Sequence, residues 1–350
     1  MTCGVFDLRR VFSAAGVGFV LSGSVLTAAV LGTDEPASAA IQERDEARQQ
    51  GAGPETVRRP GSVVLSQEYD LAGLTLPLEQ IHTLLPRDAI PALTDPETEP
   101  ASEVEWLDGT DRLAILVIQG EAYAAPLKVL NYHEIVNTTV GGQPVALTYC
   151  PLCDSVTAFN RRVTQPNGDP TILEFGVSGA LYNSNVLMYD RTYRGLWSQL
   201  GMHAASGPLQ GTALAHLSAR VVSLARFRAE HPEGRVVTKN TGHTRPYERE
   251  AYAAYFETDD TLVPVWGVGD AIRKKKTLGV GVIAGEKSWF ISAEAIGNDG
   301  MRLQTPLGPV ELRVTEAGID VASAPEGVST AQTFYYSWSA FHPKTEVITD

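Results

Sequence analysis

Cys150 and Cys153, in the stretch LTYCPLCDS, set two thiols two residues apart at the end of a strand-like run. The chain has one further cysteine, Cys3. Four chemistries compete for the pair. A structural disulfide closing so short a loop is worth roughly 2 kcal/mol, less than the ~3 kcal/mol of a fifteen-residue loop, and ring strain subtracts from it. Structural zinc needs four ligands. There is no second C-x-x-C, and His82, His133, His203, His216, His231, His243 and His342 never fall three to five residues apart. A redox dithiol is the third reading: proline after the first cysteine resembles glutaredoxin-type dithiols, whose first thiol has a depressed pKa. Here a strand rather than a helix follows, so no helix N-terminus is expected to hold the thiolate. A soft metal, copper above all, is the fourth, held by two thiolates with a histidine or methionine. His133, Met188 and His203 are the candidates, and a metal-free pair is equally compatible with the sequence. The redox and soft-metal readings stand level.

Polar residues crowd the same region. NYHEIVN carries Asn131, His133, Glu134 and Asn137, and helical spacing would put His133 and Asn137 on one face. His133 is either a ligand and proton acceptor or a core histidine bonded to a backbone carbonyl. FGVSGALYNSNVLMYDR carries Ser178, Asn183, Tyr189, Asp190 and Arg191. Strand parity puts Asn183 and Tyr189 on one face and Tyr182, Met188 and Asp190 on the other; sheet-edge and turn roles are the competing reading. LWSQL adds Trp197, Ser198 and Gln199. The expected reactive groups are therefore Cys150, Cys153 and His133. The expected metal set is Cys150, Cys153, His133 and Met188, and the expected binding groups are Ser178, Asn183, Tyr189, Trp197 and Gln199. No G-x-S-x-G, Walker loop, H-E-x-x-H or dinucleotide fingerprint occurs. The run RKKK, Arg273 to Lys276, reads as a solvated loop.

These residues need elements to hold them. LAILVI, the Gln119-Gly120 turn and EAYAAPL read as a hairpin, and KVLNYHEIV as a short helix. NTTVGGQ turns into PVALTYC, and VTAFNRRV pairs with TILEFGVSG across QPNGDP. Many short strands with few helices predict an α+β fold, mainly an antiparallel sheet or barrel-like. A weak echo links GEAYAAPLKVLNYHEIVNTTVGGQPVAL with GEKSWFISAEAIGNDGMRLQTPLGPVEL, and RFRAEHPEGRVVT with WSAFHPKTEVIT. It implies a degenerate internal duplication. The second copy lacks the cysteines and a match for His133, so the chemistry is expected in the first.

Of the 350 residues, 43% are hydrophobic and 8% aromatic, enough for a real core, and the net charge of −13 argues against nucleic acid or anionic lipid as partner. The expected partner is an unidentified small molecule, a metal or a thiol. Arg9 and Arg10, then an apolar run and Ala37-Ser38-Ala39, predict a signal peptide over 1–39, with membrane contact only if that segment is retained. The paired arginines point to the twin-arginine route, and the expected location is the periplasm or the exterior. A polar linker is expected over 40–62, then a single large domain over 63–350, with a motif-bearing part at 63–245 and the degenerate copy at 246–350. Cleavage would leave Cys150 and Cys153 as the entire thiol complement.

NYHEIVN, TYCPLC, FGVSGALYNSNVLMYDR and LWSQ, in this order and spacing, resemble the bacterial and archaeal domain-of-unknown-function family 3179. The likeness is close over about residues 85–245 and looser beyond. It implies an exported protein whose cysteine pair belongs to a shared site, and it supplies no activity. The family tends to have Gly or Ser after the second cysteine, where this chain has Asp154. It tends to have tryptophans before its His-Pro, where this chain has Leu224 and Phe227. The first departure implies a changed charge beside the thiols, the second a repacked core. The function expected is thiol-dependent redox or copper binding in the cell envelope. Its rival is a non-catalytic binding module in which a Cys150–Cys153 disulfide shapes a pocket.

Overall fold

The computed structural model describes residues 62–349. The expected signal peptide, Cys3 and all of the expected linker except Ser62 lie outside the described residues.

The strands that frame the site and the two halves of the molecule are, in chain order, β1 (Arg112–Ile118), β2 (Glu121–Pro126), β3 (Ile135–Val140), β4 (Gln143–Cys150), β5 (Ser155–Asn160), β6 (Phe175–Tyr182), β7 (Asn185–Asp190) and β8 (Leu196–Ser198). Then come β9 (Arg220–Ser223), β10 (Arg235–Val237), β11 (Leu278–Ala284), β12 (Lys287–Ser292), β13 (Met301–Thr305), β14 (Gly308–Thr315), β15 (Gly318–Ser323), β16 (Val328–Phe334) and β17 (Glu346–Ile348). The helices are short: α1 (Ser62–Glu68), α2 (Leu127–Leu130), α3 (Leu224–Glu230), α4 (Ala253–Phe256), α5 (Ala293–Ile296) and α6 (Tyr335–Phe341).

Local chemistry sets the hairpins. Gln119 and Gly120 join β1 to β2 with φ of 50° and 83°, and Gly141 and Gly142 join β3 to β4 with φ of 54° and 74°. Two successive left-handed residues make the turn whose twist matches that of paired strands. At Gly141 nothing larger fits, because a Cβ would meet the Ile118 carbonyl oxygen at 2.4 Å.

Among the described residues the largest sheet has nine strands. Its order is Leu93–Thr94, β3, β4, β5, β16, β11, β12, β17, with His216–Leu217 added on β5, so it draws strands from both halves of the chain. A five-stranded sheet runs β9, β1, β2, β10 and Thr98–Pro100; another runs Ile81–Thr83, β6, β7, β8 and His203–Ala204. Strands β13, β14 and β15 form a three-stranded sheet. The expected sheet-rich α+β character holds, but the barrel does not. Among the described residues no sheet closes on itself; β2–β10 and β12–β17 pair in parallel, so two of the open sheets are mixed and the others antiparallel.

Strand β4 is buried on both faces, and its side chains sort by parity. Val145, Leu147 and Tyr149 pack into one core, whereas Ala146 and Cys150 face another that holds Met188, Trp197 and Tyr336. The expected helix over KVLNYHEIV is only one turn. It stops at Leu130, and Glu134 takes φ of 54° before β3 begins. The run Ile135-Val136-Asn137-Thr138-Thr139-Val140, rich in β-branched residues, favours a strand. Asn137 therefore sits in β3, not on a helix face with His133.

Candidate functional site

The cysteines occupy a hairpin end. Cys150 closes β4, pairs with Ser155 of β5, and leaves Pro151 to Asp154 as the connecting turn. The two sulfurs are 3.7 Å apart as free thiols, and Cys150 and Cys153 are 1% and 0% exposed.

Cys153 is the better solvated by protein groups. Its Sγ accepts from the Cys150 thiol at 3.7 Å, Ser337 Oγ at 3.1 Å and Asn185 Nδ2 at 3.5 Å, and the Tyr336 hydroxyl stands 3.5 Å away. One acceptor faces it, the Ser184 carbonyl at 3.2 Å, which favours the protonated form. Burial pushes the Cys153 thiol up, but the hydrogen bonds from Cys150, Ser337, Tyr336 and Asn185 outweigh burial and bring it below the ordinary thiol value. Cys150 moves the other way. Burial, the proton it gives to Cys153, and the negative charges of Cys153 and Glu134 hold it well above the usual range. The surroundings thus favour proton loss at Cys153 over Cys150.

Glu134 adds a third titratable group. Burial, and then the nearby charge of Cys153, raise its carboxyl to about 8. Glu134 is 8% exposed and lines a cavity with Leu152 of the cysteine turn and Val186 of β7.

The elements meet at this turn for identifiable reasons. Asn183 and Ser184, with φ of 50° and 57°, form the two-residue turn between β6 and β7 and carry the Ser184 carbonyl to the thiols. Sequence parity placed Asn183 on a strand face with Tyr189. It lies in the turn instead, and its Oδ1 accepts from the Trp266 backbone N–H at 2.8 Å. Gln199 holds the first neighbour of Cys153 in place. Its Oε1 accepts from Asn185 Nδ2 at 2.7 Å and Ser155 Oγ at 2.8 Å, and its Nε2 donates to Thr148 Oγ1 at 3.0 Å. From the second half, the backbone N–H of Phe334 donates to the Cys153 carbonyl at 2.8 Å, and the Tyr336 hydroxyl donates to the Leu152 carbonyl at 2.9 Å. The expectation that the first half alone carries the chemistry is corrected here: Tyr336 and Ser337 come from α6.

The remaining expected site residues have partners of their own. His133 is buried, with Nδ1 2.7 Å from the Pro91 carbonyl and Nε2 2.7 Å from the Tyr247 hydroxyl; burial lowers its pKa to about 4. Both ring nitrogens are engaged away from the sulfurs. Trp197 donates to Asp190 at 2.9 Å, Tyr189 bonds Asp88, and Ser178 donates to the Leu187 carbonyl. Met188 packs in the core cluster that holds both cysteines. His203 Nδ1 lies 2.7 Å from the Gly201 carbonyl. Among the described residues no three His, Cys, Asp or Glu side chains converge as a metal cluster.

Asp154, expected to change the charge beside the thiols, faces Arg112 instead. The guanidinium meets its carboxylate at 3.0 and 2.9 Å, and Tyr149 and Gln332 also donate to it. Its φ of 48° is a backbone state that glycine adopts freely, a physical reason for glycine at this position in the family. The basic run is only partly solvated: Arg273, Lys274 and Lys275 are exposed, but Lys276 is buried. Its Nζ donates to the Tyr255 carbonyl and lies 3.2 Å from the Tyr255 ring centroid, and burial lowers its pKa to about 8.

Sequence reasoning missed Ser184, Asn185, Tyr336 and Ser337. NSN before the apolar run Val186 to Tyr189 was a turn signal that could have placed the first two. Nothing local marked the last two, which arrive 184 and more residues after Leu152 in the chain through sheet pairing.

No curated protein and no solved structure matches the chain. A family model described as a protein of unknown function, DUF3179, matches residues 87–325, most of the chain and the whole of the cysteine turn, and the protein belongs to that family.

Proposed function

We propose that the protein is a thiol-dependent redox protein in which Cys150 and Cys153 cycle between dithiol and disulfide. The observation that carries this reading is the set of donors around one sulfur. A structural thiol gains nothing from Ser337 and Asn185 aimed at its sulfur, whereas a thiolate poised to attack a disulfide does. A neighbouring thiol at 3.7 Å is placed to complete the exchange. Copper ranks below this because His133, the expected nitrogen ligand, is engaged at Pro91 and Tyr247. The charged start and A-x-A end of the first 39 residues support action outside the cytoplasm. The shared order of elements in the two halves supports descent from a duplicated half-domain.

Redox-buffer titration followed by mass spectrometry tests the proposal. Native protein should lose two titratable thiols together at one midpoint and regain both on reduction, with no stoichiometric metal in the reduced sample. Cys150→Ser and Cys153→Ser should each abolish the transition, and the double variant should be no worse than either. Thiols that stay reduced across the whole range, or stoichiometric copper, would remove the redox reading.

A further inference from the structure

Glu134 stands where the matching position uses glycine. Aligning the two halves on α2 and α5 puts Glu134, with φ of 54°, opposite Gly300, with φ of 78°. Glycine takes that conformation freely; an acid does so against its own sterics, and burying it in apolar surroundings adds a desolvation cost. Two local costs at one residue beside a reactive pair call for a return elsewhere.

The cavity supplies one. It measures about 40 Å³, and its half-buried rim is Leu84, Leu85, Leu181 and Leu262, with Glu134 and Leu152 deeper in. Val186, which also lines it, presents its backbone N–H to Cys150. Glu134 is the single carboxyl among otherwise apolar or aromatic lining, and no Lys, Arg or His is present there. A site for one water takes about 10–15 Å³, so this one admits roughly three such groups. That suits the end of a small molecule and excludes a protein loop. A charged head would enter without a counter-charge, since burial keeps the carboxyl largely protonated at neutral pH.

We propose that this cavity is the substrate port of the dithiol, that it admits one uncharged, apolar arm of a low-molecular-weight disulfide, and that the Glu134 carboxyl carries the proton of the exchange. The inference rests on the redox reading. The Cys153 thiolate attacks the disulfide R–S–S–R′, forming a mixed disulfide Cys153–S–S–R and releasing R′–S⁻. The Cys150 thiol then attacks the Cys153 sulfur, breaking its bond to R–S⁻ and forming the Cys150–Cys153 disulfide. Glu134, protonated at rest, gives its proton to the released R′–S⁻ and then takes up the proton of the Cys150 thiol. The substrate gains the two electrons that the dithiol loses, and one thiol and one thiolate leave.

Three methanethiosulfonate reagents of equal reacting group test the port on the full reduced chain: the uncharged methyl ester, an anionic sulfonatoethyl ester and a cationic trimethylammonioethyl ester. Rates are read by intact mass and divided by the rates in urea, which removes differences in intrinsic reactivity. The uncharged reagent should modify the pair at least tenfold faster than either charged one. Leu181→Trp should fill the rim and slow the uncharged reagent tenfold; Leu262→Trp does the same from the opposite side and serves where the first variant does not fold. Glu134→Gln should leave the first modification unchanged and make the methyl mixed disulfide accumulate. Equal rates for charged and uncharged reagents, unchanged rates in both folded tryptophan variants, no modification by any reagent, or no accumulation in Glu134→Gln would each overturn the proposal. Failure of the redox reading is separate, since it shows in the buffer titration and not in the reagent ratios.

Discussion

Strands β9-β1-β2-β10 of the first half and β16-β11-β12-β17 of the second have the same order and the same sense: antiparallel, antiparallel, then parallel. Their details match as well. His231 ends α3 and His342 ends α6, each donating its backbone N–H four residues back, to Phe227 at 2.7 Å and Trp338 at 2.8 Å. One difference between the halves lies at the hairpin that holds the cysteines. In the second half Thr315 pairs with Gly318, leaving Glu316 and Ala317 as a two-residue turn. In the first half the corresponding turn, between Cys150 and Ser155, has four residues and holds Leu152 and Cys153. Two added residues at one hairpin end thus set the cysteine turn apart from its counterpart. The same contrast applies where Gly300 faces Glu134, and where Ala225 and Arg226 of α3 face Tyr336 and Ser337 of α6.

The two unequal turns meet at Arg112. Its Nε donates to the Ala317 carbonyl at 2.8 Å, and its two terminal nitrogens grip Asp154, whose side chain is 6% exposed. Removing one partner of a buried ion pair typically costs about 3–5 kcal/mol, because the other charge is left without compensation. Arg112→Ala should lose that much in urea unfolding and should disturb the thiols as well, since Asp154 adjoins Cys153. A loss below about 1 kcal/mol would mean that the cysteine turn is held from the α6 side alone.

His133 has no histidine opposite it in the second half, where the aligned residue is Asp299. Its folded pKa of about 4 lies below the unfolded value of 6.5, so the unfolded chain takes up the proton more readily. The stability tied to the neutral ring is fully present above pH 6.5 and is lost as pH falls to about 4. For this fully buried ring the loss is roughly 3 kcal/mol by linkage, at 1.36 kcal/mol per pKa unit. His216 and His342, both lowered to about 4 chiefly by burial, act in the same direction. In His133→Gln the fall in unfolding free energy between pH 6.5 and 4 should be shallower than in the natural protein. An unchanged slope would assign the acid sensitivity to the other two rings.

The sequence made some of this legible and hid the rest for definite reasons. The hairpin at Gln119-Gly120, the strand into Cys150 and the strand after it follow from period-two patterns and left-handed turn residues, which act over a few neighbours. The shared helix face of His133 and Asn137 failed because helical spacing was extended through Glu134, whose left-handed backbone breaks it; an acidic residue gives little warning of such a turn. The thiol neighbours Tyr336 and Ser337 could not be found locally at all. Their place depends on β16 pairing with β5 across the two halves, a contact set by tertiary packing. The echo between the halves, visible in the sequence, was the one long-range signal, and the second copy's lack of the cysteines pointed to the first copy's hairpin end.

Two serine hydroxyls compare the turns most finely. Ser337 Oγ donates to Cys153 at 3.1 Å, and Ser223 Oγ donates to Glu316, in the counterpart turn, at 2.7 Å while capping α3. Ser337→Ala removes one of the donors that hold the Cys153 thiolate, so the alkylation midpoint of Cys153 should move to higher pH, with stability changed by only about 1 kcal/mol. Ser223→Ala should cost about the same stability through its lost cap and leave the thiol midpoint where it was. The reading is taken by iodoacetamide labelling across a pH series, with each cysteine followed by peptide mass spectrometry. If both alanine variants leave the midpoint unmoved, the donors around Cys153 pack the turn without setting its charge. If both move it, the two turns are coupled through Arg112.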